Sequence, residues 1–208
     1  MNKGLFITFE GADGCGKSTQ LRWLNEYLKE KGYEVVCTRE PGGCPLAESV
    51  REMLLSRANT GMTARCEALL FAAARAEHID KTIRPALRAG KIVLCDRFFD
   101  SSMAYQAYGR ELGEDFVRQI NQAVTECMPD RTYLFGGKQE EIALRLAARG
   151  DSDRIEAENA AFVRRLYDGV EALARQEPRR IRRINAGRKI PVIAAEVAAD
   201  AEELLSNS

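Results

Sequence analysis

Residues 11–18 read Gly-Ala-Asp-Gly-Cys-Gly-Lys-Ser, a full match to the pattern Gly-x-x-x-x-Gly-Lys-Ser/Thr. No other stretch constrains the fold so tightly, because the residues on either side change periodicity across it. Gly4–Glu10 ahead of it is a short β-rich run, and from Lys17 to Lys31 the leucines at 21, 24 and 28 recur at helical spacing, with Gly32 suited to the stop. Strand, glycine-rich turn and helix is the context in which this pattern curls backbone N–H groups inward around phosphate oxygens. The helix N-terminus adds partial positive charge. In that arrangement Lys17 neutralises β- and γ-phosphate oxygens and the Ser18 hydroxyl ligates Mg²⁺. With glycine near 7% of average composition, a chance match in a chain of this length is on the order of one in a hundred. The segment is therefore expected to bind a nucleoside triphosphate with Mg²⁺ through Gly11, Ala12, Asp13, Gly14, Cys15, Gly16, Lys17, Ser18 and Thr19.

The remaining elements extend that start. Glu34–Thr38 reads as a second strand, which makes a βαβ unit and implies a parallel sheet. Helical patterns follow over 46–57 and 64–88. Ile92-Val-Leu-Cys95 is a continuous apolar run, as in a strand buried on both faces. It ends at Asp96, where a carboxylate at a strand end beside a phosphate cradle can hold a water of the Mg²⁺ shell. Helices are predicted at 101–108, 114–127, 139–149, 156–176 and 192–205, with strands at 131–135 and 180–185. The fold class is thus α/β in three layers, a parallel central sheet flanked by helices. No repeat, low-complexity run or linker divides the 208 residues, so one domain is expected.

Composition narrows the partners. Lysine plus arginine is 31 and aspartate plus glutamate is 31, a balance that argues against a nucleic-acid-coating surface. No apolar run approaches the ~20 residues of a membrane span, and 4–10 is too short for a signal-peptide core. The six cysteines form no CxxC pair, and His78 is the single histidine, so no zinc spacing exists. Small buried thiols in a reducing cytoplasm are the expectation.

A phosphate cradle alone serves GTPases, transport ATPases, motors and kinases. No NKxD guanine reader follows a strand and no LSGGQ-like signature occurs. The chain offers instead an arginine-rich second site: Arg39-Glu-Pro-Gly-Gly43, Arg51, Phe71 with Arg75, and Asp96-Arg-Phe-Phe-Asp-Ser-Ser-Met-Ala-Tyr-Gln106. Arginine forks suit a second phosphate. Phe71 and Arg75, at i and i+4, place an aromatic plate and a donor on one helix face, a pairing that suits a planar base. Taken singly, Phe71 fits a core residue and Arg75 a solvated face. Arg145 and Arg149 share a helix face before Gly150, as in a lid that brings a cation over the γ-phosphate.

The blocks Phe9–Gln20, Thr38–Gly43, Leu69–Arg75, Cys95–Ser102, Ala104–Gln106 and Asp153–Glu156 resemble bacterial thymidylate kinases along nearly the whole chain. The resemblance implies transfer of the ATP γ-phosphoryl to dTMP, with Mg²⁺ held at Ser18 and Asp96 and a homodimer as the assembly. It also implies that Phe71 stacks on thymine, and that Arg75, Ser102 and Gln106 bond the base edges. Tyr105 would crowd the sugar 2′ position, and Asp13 would meet the 3′-hydroxyl. Arg39, Arg51 and Arg97 would face the acceptor phosphate with Glu40 near it, and Arg149, in a lid of about 143–156, would act with Lys17, Arg97 and Asp96 in catalysis. One block departs: Gly136-Gly-Lys-Gln139 stands where the family runs into an acidic turn. The alternatives are a P-loop kinase of another deoxynucleotide or a nucleoside, and a nucleotide-binding regulator without turnover. Arg39, Arg51 and Arg97 argue for an acceptor that already carries phosphate. His78 and Trp23 read as packing or surface residues.

Overall fold

A computed structural model describes residues 4–137, 154–155 and 158–206. Five strands, β1 (Phe6–Gly11), β2 (Val35–Arg39), β3 (Ile92–Asp96), β4 (Arg131–Gly136) and β5 (Ile181–Asn185), form one parallel sheet in the order β2-β3-β1-β4-β5. The expected βαβ unit is present, but β3 inserts between its two strands. Phe6 lies opposite Val93 on one side of β1, and Ile7 opposite Arg131 on the other.

Side chains alternate across this sheet with the period of two that a strand imposes. Ile7, Phe9, Leu94, Tyr133 and Phe135 pack on one face against α1 (Lys17–Glu30) and α8 (Ile190–Ser206). Phe6, Val93, Cys95 and Leu134 pack on the other, with Met103, Val117 and Leu166. That second layer contains α3 (Ala64–His78), α4 (Arg84–Arg88), α5 (Phe99–Ser102), α6 (Glu114–Ile120) and α7 (Ala160–Gln176), and α2 (Pro45–Leu55) packs on α3. Both faces of the sheet are therefore covered, which is why the inner strands β1 and β3 are buried almost throughout.

The sequence-predicted helices need three corrections. The stretch over 64–88 is interrupted by a π turn at Ile79–Ile83. Pro85 follows it and has no N–H to give the i−4 carbonyl, so the regular ladder cannot run through. The helix expected at 101–108 starts earlier, at Phe99, and widens into a π turn over Met103–Gly109. That over 114–127 tightens to 3₁₀ geometry from Gln122. The helix placed at 156–176 is described from Ala160, where Asn159 caps it by accepting from the Phe162 N–H at 2.9 Å. The helix expected at 139–149, with Arg145 and Arg149, lies outside the described residues. All six cysteines are free thiols, but Cys37 and Cys66 are exposed rather than buried: each falls on a solvent-facing position of its strand or helix.

Candidate active site

The cradle forms at the C-terminal end of the central strand. Gly11, Gly14 and Gly16 all have positive φ, and a side chain on Gly11 would come within 2.4 Å of the Phe135 carbonyl oxygen. The turn leads into α1 without a side-chain cap, leaving first-turn N–H groups for a ligand. Lys17 is buried, its Nζ donating to the Ala12 carbonyl at 2.9 Å and lying 3.5 Å from Asp13 Oδ1. Ser18 Oγ donates to Asp96 Oδ2 at 2.6 Å across the β1–β3 seam. These are two hard oxygen donors at the lip of a phosphate cradle. Among the described residues no group of three or more His, Cys, Asp or Glu could hold a metal by itself. Mg²⁺ fits such a lip, because it keeps several waters and takes only one or two protein ligands plus phosphate oxygens.

Arg97 joins the cradle to the segment after β3. It has φ 69, left-handed for a non-glycine residue, a conformation that costs about 1–3 kcal/mol and must be held by its surroundings. Glu10 holds it: Oε1 accepts from the Phe98 N–H at 2.7 Å and the Ser101 N–H at 3.3 Å, and Oε2 from Ser101 Oγ at 2.5 Å. The guanidinium then reaches Asp13 Oδ2 at 2.9 Å and Ser101 Oγ at 3.2 Å, and lies 5.3 Å from the Tyr105 ring centroid. Burial, with the negative charge of Asp100 beside it, raises the Glu10 carboxyl to about 7, and burial pushes the Tyr105 phenol up to about 12. Glu10, Gly11, Arg97, Ser101, Tyr105 and Tyr167 line part of a cavity between the sheet and α7.

The second cluster surrounds Arg75, and here the solvated-face reading fails: the side chain is 2% exposed. Its Nε donates to Glu40 Oε2 at 2.7 Å, and Nη1 to Ser102 Oγ at 2.9 Å and Asn121 Oδ1 at 2.7 Å. Nη2 donates to the Phe98 carbonyl at 3.1 Å. These bonds take four of the five N–H groups of a guanidinium. His78 is also fully buried, with Nδ1 3.0 Å from Glu40 Oε1 and Nε2 2.6 Å from Thr38 Oγ1. Gly43, at φ 85, packs directly on that imidazole. Gln106 is buried and donates from Nε2 to Glu67 Oε1 at 3.0 Å. Phe71 is half-buried beside Ala74, Val50 and Leu54.

The structure thus brings together Asp13, Lys17, Ser18, Asp96, Arg97 and Tyr105 in one group, and Glu40, Arg75 and Ser102 in another, linked through Phe98. Arg51 donates to the Pro41 carbonyl at 2.8 Å and so supports the loop after Glu40. Arg39 is not brought in: its guanidinium is largely exposed and held by Glu48 at 2.8 Å. Both carboxylate oxygens of Glu40 are engaged by Arg75 and His78. Sequence reasoning missed the contributions of Glu10, Glu67, His78 and Asn121. For Glu67 and His78 a signal existed, because 67, 71, 75 and 78 form one stripe on α3.

A parallel sheet with a phosphate cradle at the end of its central strand, a carboxylate at the end of the next and an arginine-rich site alongside defines a P-loop kinase. Residues 9–197 match the family model described as thymidylate kinase. The chain is 49% identical to a thymidylate kinase of an Exiguobacterium species, covering 93% of this chain and 92% of that one. To the thymidylate kinase of Symbiobacterium thermophilum it is 46% identical, over 97% and 94% of the two chains. The crystal structure of thymidylate kinase from Ehrlichia chaffeensis superposes with a TM-score of 0.78 at 37% identity, covering 96% of this chain and 99% of that one. The chain belongs to the thymidylate kinase family.

Proposed function

We infer that the chain transfers the γ-phosphoryl group of ATP to dTMP, giving dTDP and ADP. The observation that carries this reading is the Asp13–Arg97 pair at 2.9 Å. It sets the cradle for the donor phosphates directly against the segment that would hold the acceptor. Phosphoryl transfer to an already ionised phosphate oxygen needs alignment, charge neutralisation and exclusion of water rather than a general base.

Within that reading Gly11–Thr19 wrap the ATP phosphates, and Lys17 leaves its resting bonds to Ala12 and Asp13 to meet them. Ser18 and Asp96 hold Mg²⁺, which when bound neutralises phosphate charge. Arg97 aligns the acceptor phosphate, assisted by Arg51. Arg39 serves only if it exchanges Glu48 for phosphate, and Glu40 acts through Arg75 rather than at the phosphate. The N–H left on Arg75 Nη2 meets a thymine carbonyl. Ser102, which accepts from Arg75, keeps its own proton to donate, and Phe71 stacks on the ring. Tyr105, pinned over Arg97, sits at the sugar and disfavours a 2′-hydroxyl. Arg149 in a lid of about 143–156 supplies a further cation. A homodimer in the cytoplasm and one kinase domain over 1–208 complete the reading; no helix among the described residues is long and apolar enough to cross a membrane.

The test is ADP formation with Mg·ATP against dTMP, dUMP, dCMP, UMP and thymidine. Strong preference for dTMP is the expected result. Preference for another acceptor would leave the cradle standing and sink the base-site assignment. ATP binding without turnover on any acceptor would favour a regulator.

A further inference from the structure

Glu67 lies in the first turn of α3 and is 1% exposed, yet four donors converge on it. Its Oε1 accepts from Gln106 Nε2 and from Arg110 Nε, both at 3.0 Å. Its Oε2 accepts from Arg110 Nη2 at 2.9 Å and Arg154 Nη1 at 2.7 Å. Burial alone would raise this carboxyl, but the hydrogen bonds from Arg110, Gln106 and Arg154 outweigh it and hold the group below the usual carboxylate range. The two guanidiniums are themselves anchored. Arg154 Nε donates to the Leu54 carbonyl at 2.8 Å, and Arg110 stacks 4.8 Å from the Phe162 ring centroid while also pairing with Glu158. Glu67 is therefore fixed in place and ionised.

An ionised carboxylate can only accept, whereas a primary amide has one accepting end and one donating end. Glu67 thus takes the NH₂ end of Gln106 and rejects the other, since the flipped amide would set oxygen against oxygen with no proton between them. The amide oxygen is committed away from Glu67. Gln106 follows Ser102 by four residues, and their partners on α3, Glu67 for Gln106 and Arg75 for Ser102, lie about two turns apart on one buried stripe. Pyrimidines differ at the position such an oxygen would read. Thymine and uracil carry an N3–H donor, and cytosine carries a bare N3 acceptor.

We propose that Glu67 is a specificity-determining positioning residue: by fixing the Gln106 amide with its oxygen toward the base, it selects pyrimidines bearing N3–H and rejects cytosine. This rests on the reading that Gln106 faces the acceptor base. Glu67 touches no substrate and acts only through Gln106.

The experiment compares kcat/KM for dTMP, dUMP and dCMP in the wild type, Glu67→Gln and Glu67→Asp. A neutral amide at 67 can pair with either end of Gln106, so Glu67→Gln should raise the dCMP-to-dTMP ratio by at least about tenfold, the scale of one hydrogen bond to a charged group. The dUMP-to-dTMP ratio should not change, because both bases carry N3–H. Glu67→Asp remains an acceptor and should keep the dCMP-to-dTMP ratio within a few-fold of wild type. If all three substrates lose activity in parallel with unchanged ratios, Glu67 is only a counter-ion for Arg110 and Arg154, and the proposal is overturned. If the wild type does not phosphorylate dTMP, the functional reading itself has failed, a distinct result that removes the proposal with it. Should Glu67→Gln not fold, Glu67→Gln combined with Arg154→Met removes one guanidinium left facing a neutral amide, and the same ratios decide.

Discussion

Arg75 and Glu40 form an ion pair inside the protein: Nε meets Oε2 at 2.7 Å, with side chains 2% and 4% exposed. Breaking a buried pair strands the surviving charge, which costs about 3–5 kcal/mol. Glu40→Ala also removes the acceptor for His78 Nδ1, so Arg75 and His78 lose their common anchor. Urea unfolding should show a loss in that range. Steady-state kinetics on the residual folded enzyme should show KM for dTMP rising far more than KM for ATP. Equal rises in both would place Glu40 outside the acceptor side.

Lys17 spends its charge on groups that a triphosphate would displace, the Ala12 carbonyl and Asp13. Lys17→Ala should leave the fold intact and lower turnover by at least ~10²-fold at saturating ATP, as loss of an electrostatic stabiliser does. Unchanged turnover would refute the cradle.

The Ser18–Asp96 bond sets the orientation of both oxygens at the lip of the cradle. Asp96→Asn removes the negative charge and turns one of the two acceptor oxygens into a donor, so the Ser18 hydroxyl keeps its partner only when the amide oxygen faces it. The Mg²⁺ concentration for half-maximal rate should rise by about 10- to 100-fold, the usual penalty for losing a group that orients a metal ligand. A Mg²⁺ titration superimposable on the wild type would rule Asp96 out of the metal site.

Glu10 predicts a pH dependence of stability. Its carboxyl sits at about 7 in the folded chain against an ordinary 4.5. Between those values the folded state keeps a proton that the unfolded chain releases. The resulting stabilisation is complete below about 4.5 and disappears as pH rises through about 7. Glu10→Gln lacks that titration, so its melting temperature should climb relative to the wild type as pH goes from 5 to 8. A difference constant across that range would mean that Glu10 does not titrate in the folded state near neutrality.

What was legible in the sequence follows the range of the interactions concerned. β1, the cradle, α1 and its stop before Gly32 are local, so motif and periodicity located them within a residue or two. The interruption before Pro85 and the widening over Met103–Gly109 were missed, because a π turn keeps the apolar spacing of a helix nearly intact. Arg75 is the instructive case. As a charged residue on a helix it fits solvent, and the partners that bury it, Phe98, Ser102, Glu40 and Asn121, lie 23 to 46 residues away. Pairings that distant leave no local trace. Glu67 and His78 differ, since both extend the Phe71–Arg75 stripe by one turn and the helical period alone would have placed them there.

Two glycines at the end of β4 and the start of the cradle tolerate change very differently. Gly11 is pressed so closely on Phe135 that only hydrogen fits, whereas a side chain on Gly136, the next residue of β4, would meet nothing within 4 Å. Gly136, the first residue of the Gly136-Gly-Lys-Gln139 run, therefore stands where a side chain is sterically free. Substitutions can accumulate at 136 without disturbing ATP's seat one residue away, while the same mutational pressure on Gly11 is blocked at the first methyl group.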